Sequence, residues 1–402
     1  MPASETMKHD QTRLARLGAY PFERLRELFA GLTPNPSLEP INAGVGEPHL
    51  PLPDFAARVL ADHMDGFSRY PSTTGSPALR ESIAGWLMRR YGLSSVDSRT
   101  QVLAANGTRE ALFTVAHALV NPEAAEKPYV MMPNPMYQIY LGAAITAGAE
   151  PWLLSCSPEQ GFAPMLDDVP ESVWQRTVLV YVCSPSNPTG WVADTSYYGR
   201  LLELADRHDF YVLADECYSE IYRENPPAGL LKVAERLGRP GFSRCLVFNS
   251  LSKRSAMPGL RSGLIAGDAA LIKRFAKLRS YTGPATPLPL QHVAMAAWDD
   301  DAHVEHHLAV HQRSLQAFFE ALGEGEVPAG SFFVWLPVGD DEAFARRAFT
   351  EQAVTVLPGR YLGAEDGDGH NPGAGYVRLA IVDGPEKAAE LAGRLRAVKE
   401  SA

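Results

Sequence analysis

Between residues 102 and 267, short apolar runs alternate with stretches whose apolar positions repeat every three or four residues. The runs at 102–105, 129–132, 152–154, 177–182, 210–214, 245–248 and 264–266 predict strands. A strand covered on both faces reads as one continuous apolar run rather than as an alternation. Residues 109–119, 137–147 and 196–208 have helical spacing and fall between these runs. Strands alternating with helices predict an α/β unit with a mainly parallel, seven-stranded sheet covered on both faces.

Outside that region the pattern changes. Residues 14–32 have helical spacing with a break at Tyr20-Pro21-Phe22. A short strand at Ile41 runs into the glycine-rich turn Gly44-Val45-Gly46, and helices are expected at 55–64 and 77–91. Pro77 suits the first turn of the latter. Beyond residue 269 a long helical region extends to about 321, with a break expected at Gly283-Pro284. Residues 331–336, 355–357 and 377–381 predict strands of a smaller sheet, and 385–399 a closing helix. Residues 1 to about 12 are polar and read as disordered.

Composition narrows the function classes. The formal net charge is −10, and no long Lys/Arg run occurs in the 402 residues. This argues against nucleic acid or an anionic membrane as the main partner. The four cysteines form no CxxC pair, so a reduced, cytoplasmic protein without a structural zinc or iron–sulfur site is expected. No segment has a signal-peptide core or the length of a membrane span.

Candidate chemistry gathers where the expected strands end. Lys253 follows the strand at 245–248, between Ser252 and Ser255 and ahead of Arg261. Burial there disfavours an ammonium and leaves a usable amine. Ser250 and Ser252 offer hydroxyls to an anion, and Arg261 offers a bidentate fork. Asn106-Gly107-Thr108-Arg109 marks the turn from the first strand into a helix, a natural phosphate site. Gly107 permits close backbone approach there, although Asn106 or Thr108 as a plain N-cap explains the residues equally. Asp215 ends another strand, at the sheet edge where open α/β folds bind ligands. Lysine plus phosphate clamp suggests pyridoxal 5'-phosphate (PLP), and an acid at Asp215 suits its ring nitrogen.

Taken together and in this order, these motifs resemble the fold-type I, PLP-dependent aminotransferases of class I and II over roughly residues 14–399. The resemblance implies a large PLP-binding domain at 51–285. It places a smaller α+β domain at 286–402 and an arm at 1–50 that contributes to it. It makes Lys253 the Schiff-base lysine. Ser250, Ser252, Arg261 and the Gly107-Thr108-Arg109 turn become phosphate contacts, and Asp215 the partner of the ring nitrogen. Tyr218 and Asn187 would bond the ring hydroxyl, and Tyr137 would stack on the ring. Tyr70 would reach the phosphate of a second subunit, which implies a homodimer with shared sites. Arg378 would grip the substrate's α-carboxylate, with Gly46 lining that pocket.

Within the family, the chain resembles the N-succinyl-L,L-diaminopimelate aminotransferases of lysine biosynthesis, which use 2-oxoglutarate and glutamate. The segments carrying this are Tyr20-Pro21-Phe22-Glu23-Arg24-Leu25, Pro133-Asn134-Pro135-Met136-Tyr137 and Asn371-Pro372-Gly373-Ala374-Gly375-Tyr376-Val377-Arg378. The chain departs from that group at Ala256-Met257 and over residues 280–287. Alternatives are an aminotransferase for another acidic or specialised amino acid, or a PLP lyase or oxidase on the same scaffold. A ligand-sensing regulator is disfavoured, because the N-terminal segment is short and not basic. His303, His307 and His311 recur at helical intervals and are expected on a solvated face rather than on a metal. Arg254 is open to two readings, a contact to a distal substrate carboxylate or a structural ion pair.

Overall fold

The computed structural model describes residues 13–401; the expectation for residues 1–12 lies outside the described residues. The chain enters through α1 (Pro21–Leu28), β1 (Ile41–Asn42), α2 (Phe55–Asp62) and α3 (Pro77–Tyr91). The alternating region follows: β2 (Val102–Ala105), α4 (Thr108–Leu119), β3 (Tyr129–Asn134), α5 (Ile139–Ala147), β4 (Glu150–Ser155), α6 (Glu171–Trp174) and β5 (Thr177–Cys183). It continues through α7 (Thr195–His208), β6 (Tyr211–Asp215), α8 (Leu230–Arg236), β7 (Cys245–Ser250), α9 (Leu251–Arg254) and β8 (Gly263–Gly267). Then come α10 (Ala269–Thr282), α11 (Leu288–Asp299), α12 (Ala302–Leu322), β9 (Phe333–Pro337), α13 (Asp341–Gln352), β10 (Val354–Thr355), β11 (Leu357–Pro358), β12 (Tyr376–Ala380) and α14 (Pro385–Glu400).

All seven expected strands join one sheet of order β2-β8-β7-β6-β5-β3-β4. Only β8 runs antiparallel to its neighbours. The carboxyl ends of β2, β5, β6 and β7 therefore open on one edge. These strands are buried almost throughout, as their continuous apolar runs require. One face packs on α4, α5 and α10 through Leu112, Val115, Tyr140 and Phe275. The other packs on α3, α7, α8 and α11 through Trp86, Leu201, Leu231 and Trp298.

A second core lies over the sheet β11-β12-β9, covered by α12, α13 and α14. Ile41 of β1 pairs with Val354 of β10 and brings the N-terminal segment into this core. The sequence boundary at residue 286 falls just before α11, yet α11 buries Val293, Ala294, Ala297 and Trp298 in the larger core. The long helical region also has a second break, at Asp300-Asp301, where Asp300 Oδ1 accepts from the backbone N–H of His303 at 3.0 Å. This is the electrostatic use of acids at a helix start.

The histidine face of α12 corrects an expectation. It points inward rather than to solvent: His307 and His311 are buried. His303 Nε2 lies 2.8 Å from Ser255 Oγ and Nδ1 lies 2.9 Å from Asp300 Oδ1. The His311 ring meets Phe332 at 5.5 Å. Helical periodicity marks one face but carries no sign of whether that face is wet; α12 packs Leu315, Phe318 and Leu322 into the second core while His303 meets Phe55. Among the described residues no group of three or more His, Cys, Asp or Glu is arranged to hold a metal.

Candidate active site

The sheet edge opens into a cavity of about 440 Å³ between the two cores. Its base is α9, a single turn started by Ser250, whose Oγ accepts from Ser252 N at 3.1 Å. The turn projects Lys253 into the cavity, where its Nζ donates to Gly46 O. Burial lowers the Lys253 ammonium to about 8, opposed in part by the Cys217 and Glu47 side chains. Deeper in the floor, Asp215 ends β6. Burial pushes its carboxyl above the usual range, against hydrogen bonds from Cys217 and Tyr140.

One side of the cavity forms a cup for an anion. Gly107 (φ 80°) starts α4, so the first N–H groups of a twelve-residue helix face the opening. A Cβ at Gly107 would lie 2.0 Å from Arg261 Nη2, so only glycine lets the guanidinium close over this helix end. Arg261 Nη1 donates to Pro258 O at 2.9 Å, which fixes the fork beside Ser250 and Ser252. Thr108 Oγ1 sits 3.1 Å from Cys217 Sγ. A helix amino end, two hydroxyls and a guanidinium in one cup are the donor set a phosphate needs, so the residues fit PLP.

Across the cavity, Arg378 of β12 is buried. Its Nη1 donates to Asn187 Oδ1 at 3.0 Å and its Nη2 to Gly44 O at 2.6 Å. Its Nε is buried without a hydrogen-bond partner. The guanidinium lies over the Phe333 ring at 4.4 Å, and burial lowers it to about 10. A Cβ at Gly46 would meet Phe333 at 2.6 Å, so glycine is required for this wall. Tyr218 is buried edge-on against Phe332 and Phe333, both at 5.4 Å.

The fold thus brings the expected residues onto one cavity, with Gly107 one atom layer behind Arg261. Tyr70 is the exception: it is fully exposed and lines no part of the cavity. Arg109 differs from expectation in its side chain. Its Nε donates to Tyr137 Oη at 2.9 Å and its Nη2 to Tyr20 Oη at 2.7 Å. The guanidinium therefore stands at the mouth with two phenols. Arg254 resolves to the structural reading. It is buried, bonds Asp301 Oδ1 at 2.6 Å and lies against the paired rings of Trp86 and Trp298, 5.6 and 5.5 Å from their centroids. Tyr20, Cys217, Phe333 and Tyr140 escaped the sequence reading. Tyr140 alone left a trace, three residues after Tyr137 and so on the same helical side.

Comparison with known proteins agrees with this geometry. Residues 39–395 match the family model of aminotransferase class I and II. The LL-diaminopimelate aminotransferase of Syntrophobacter fumaroxidans is 30% identical over 399 residues, covering 96% of this chain and 97% of that protein. The crystal structure of an aminotransferase from Neisseria meningitidis superposes with a TM-score of 0.92 at 40% identity, covering 96% of this chain and 99% of that one. A probable N-succinyldiaminopimelate aminotransferase from Thermus thermophilus superposes with a TM-score of 0.82 at 26% identity, covering 94% and 100%. The chain belongs to the class I and II aminotransferases, enzymes that carry out amino transfer with pyridoxal 5'-phosphate.

Proposed function

We propose that the chain transfers an amino group between N-succinyl-L,L-diaminopimelate and 2-oxoglutarate, with glutamate as the other amine, in lysine biosynthesis. The observation that carries this reading is the charge of the cavity. Lys253, Arg261, Arg378 and Arg109 line it, and Asp215 is the one carboxylate among the described lining residues. With Arg261 assigned to phosphate and Arg378 to the α-carboxylate, Arg109 is left at the mouth for a second acid group. A free distal ammonium, as in unacylated diaminopimelate, finds no carboxylate beside Arg109 among the described lining residues; Glu47, outside the lining, acts on Lys253. An N-succinyl group replaces that ammonium with an amide and adds a carboxylate, which suits an Arg109 fork.

In this reading Ser250, Ser252, Arg261 and the Gly107–Thr108 backbone would hold the phosphate. Tyr137 would stack on the ring, Tyr218 and Asn187 would bond its hydroxyl, and Asp215 would keep a proton on its nitrogen. When bound, PLP supplies an electron sink for charge developing at the substrate Cα. Arg378 orients the α-carboxylate, and Lys253 Nζ takes the proton from Cα. Its lowered affinity leaves more of it as free amine near neutral pH. The reading includes a homodimer: Tyr70 is fully exposed and lines no part of its own cavity, which leaves it available to reach a partner's phosphate.

The test compares kcat/KM for N-succinyl-L,L-diaminopimelate, L,L-diaminopimelate and alanine as donors. The succinylated amine should lead, and Arg109→Met should lower its value about tenfold while leaving alanine within about twofold. Preference for the free diamine overturns the substrate assignment. Release of ammonia or pyruvate without amino transfer would place the chain with lyases or oxidases on this scaffold.

A further inference from the structure

The carboxylate at the cavity floor has an aromatic support of its own. Asp215 Oδ2 accepts a 2.6 Å hydrogen bond from Tyr140 Oη, and Oδ1 accepts one of 3.3 Å from Cys217 N. Tyr140 has no solvent exposure. Its ring stacks on Tyr181 at 4.7 Å and 17°. Tyr181 is anchored in turn, its Oη donating to Leu112 O of α4 at 2.7 Å. The edge of the Tyr137 ring meets Tyr140 at 5.7 Å and 87°. Held by β5 on one side and Tyr137 on the other, the Tyr140 hydroxyl has two polar neighbours among the described residues, the Asp215 carboxylate at 2.6 Å and the weakly bonding Cys183 thiol.

We propose that Tyr140 is a positioning residue for amino transfer: its hydroxyl holds Asp215 as a carboxylate, so that the proton between Asp215 and the cofactor's ring nitrogen would stay on the nitrogen. This rests on the PLP reading of the site and assigns a residue that reading does not use. The physical need is plain. Burial alone drives Asp215 toward its neutral acid, and a neutral acid leaves the ring nitrogen without a proton of its own. Donors to the anion oppose this, and an O–H donor to a charged acceptor is among the strongest available.

The other groups facing Asp215 do not replace Tyr140. Cys183 of β5 and Cys217 are thiols that burial keeps protonated; the Cys217 thiol also donates to Asp215, but S–H is a weaker donor than a phenol O–H. Tyr137 and Tyr218 are phenols raised in the same way. Glu216 turns its carboxylate away, accepting from Tyr91 Oη at 2.7 Å and Leu230 N at 2.8 Å. Lys253 favours the anion, but without a hydrogen bond to it. Removing the Tyr140 hydroxyl therefore moves one proton from nitrogen to carboxylate oxygen, with no change in electron count.

The experiment loads native, Tyr140→Phe and Tyr181→Phe proteins with PLP labelled with ¹⁵N in the ring, and follows the nitrogen resonance against pH. Tyr140→Phe should lose the ring proton at least about one pH unit lower than native, a roughly tenfold drop in proton affinity. Tyr181→Phe keeps the Asp215 bond and should match native. An unshifted titration in Tyr140→Phe overturns the proposal. A cycle of PLP dissociation constants separates positioning from packing. Tyr140→Phe should weaken PLP about tenfold in the native background and less than about twofold in Asp215→Asn. Equal losses in both backgrounds overturn the proposal. If Tyr140→Phe does not fold, the native holoenzyme still decides, because a neutral ring nitrogen at neutral pH refutes the claim. A native chain that binds no PLP overturns the parent reading and this proposal with it, a result distinct from a loaded variant that fails to shift.

Discussion

Replacing Arg378 with lysine tests the substrate side of the site most severely. The guanidinium is buried, with Nη1 committed to Asn187 Oδ1 and Nη2 to Gly44 O. Its Nε is buried and unpartnered. These bonds fix the plane of the fork, and a carboxylate entering the cavity can be met by two parallel N–H groups. Lysine keeps the charge but offers a point donor, so one of two charge-assisted bonds is lost. Such a bond contributes about 1.5–3 kcal/mol, so kcat/KM should fall roughly ten- to hundredfold. Alanine loses both bonds and the charge, and should fall at least tenfold further. The assay is steady-state amino transfer with glutamate, alanine and N-succinyl-L,L-diaminopimelate. Every donor carries an α-carboxylate, so all should suffer alike. Loss confined to the succinylated donor would show that Arg378 reads the distal end, and the assignment would fail.

Three further outcomes follow from the same geometry. Gly107→Ala places a Cβ 2.0 Å from Arg261 Nη2 at a residue with φ 80°, so PLP should bind at least about tenfold more weakly by titration of the apo-protein. An unchanged dissociation constant would remove Gly107 from the phosphate cup. Burial lowers His311 to about 4, below its unfolded value, so its stabilisation is present above about pH 6.5 and is lost as pH falls toward 4. Between pH 7 and 5 that loss is about 2 kcal/mol in urea unfolding, and His311→Leu should flatten it; an equal acid slope in the variant contradicts the account. Finally, mixing Tyr70→Phe chains with Lys253→Ala chains should restore activity in hybrid dimers, since one site per hybrid regains both residues. No gain over the separate variants would contradict a shared site.

The large sheet was readable because parallel strands buried on both faces leave unbroken apolar runs, and all seven occur where such runs lie. The site residues at the ends of those strands were readable for the same reason: Asp215, Ser250 and Gly107 stand where a run stops. Pairings that depend on distant chain were not. The run 355–357 divides into β10 and β11 because Val354 pairs with Ile41 while Leu357 pairs with Arg378, over three hundred residues apart in the first case. Side-chain direction was equally hidden. Arg109 and Arg254 each flank an expected anchor, yet one turns to two phenols at the mouth and the other into the protein to bond Asp301. Tyr140 is an aromatic in an apolar helix, and only the register of α5 against β6 reveals that its hydroxyl meets Asp215.

The most direct measurement is the visible absorption of the PLP-loaded protein during alternating additions of glutamate and 2-oxoglutarate, for the native chain and Lys253→Ala. The account predicts that glutamate converts the native cofactor to its amine form, that 2-oxoglutarate restores it, and that Lys253→Ala does not cycle. Full cycling in Lys253→Ala, or no conversion of the native cofactor by any α-amino acid, would contradict it.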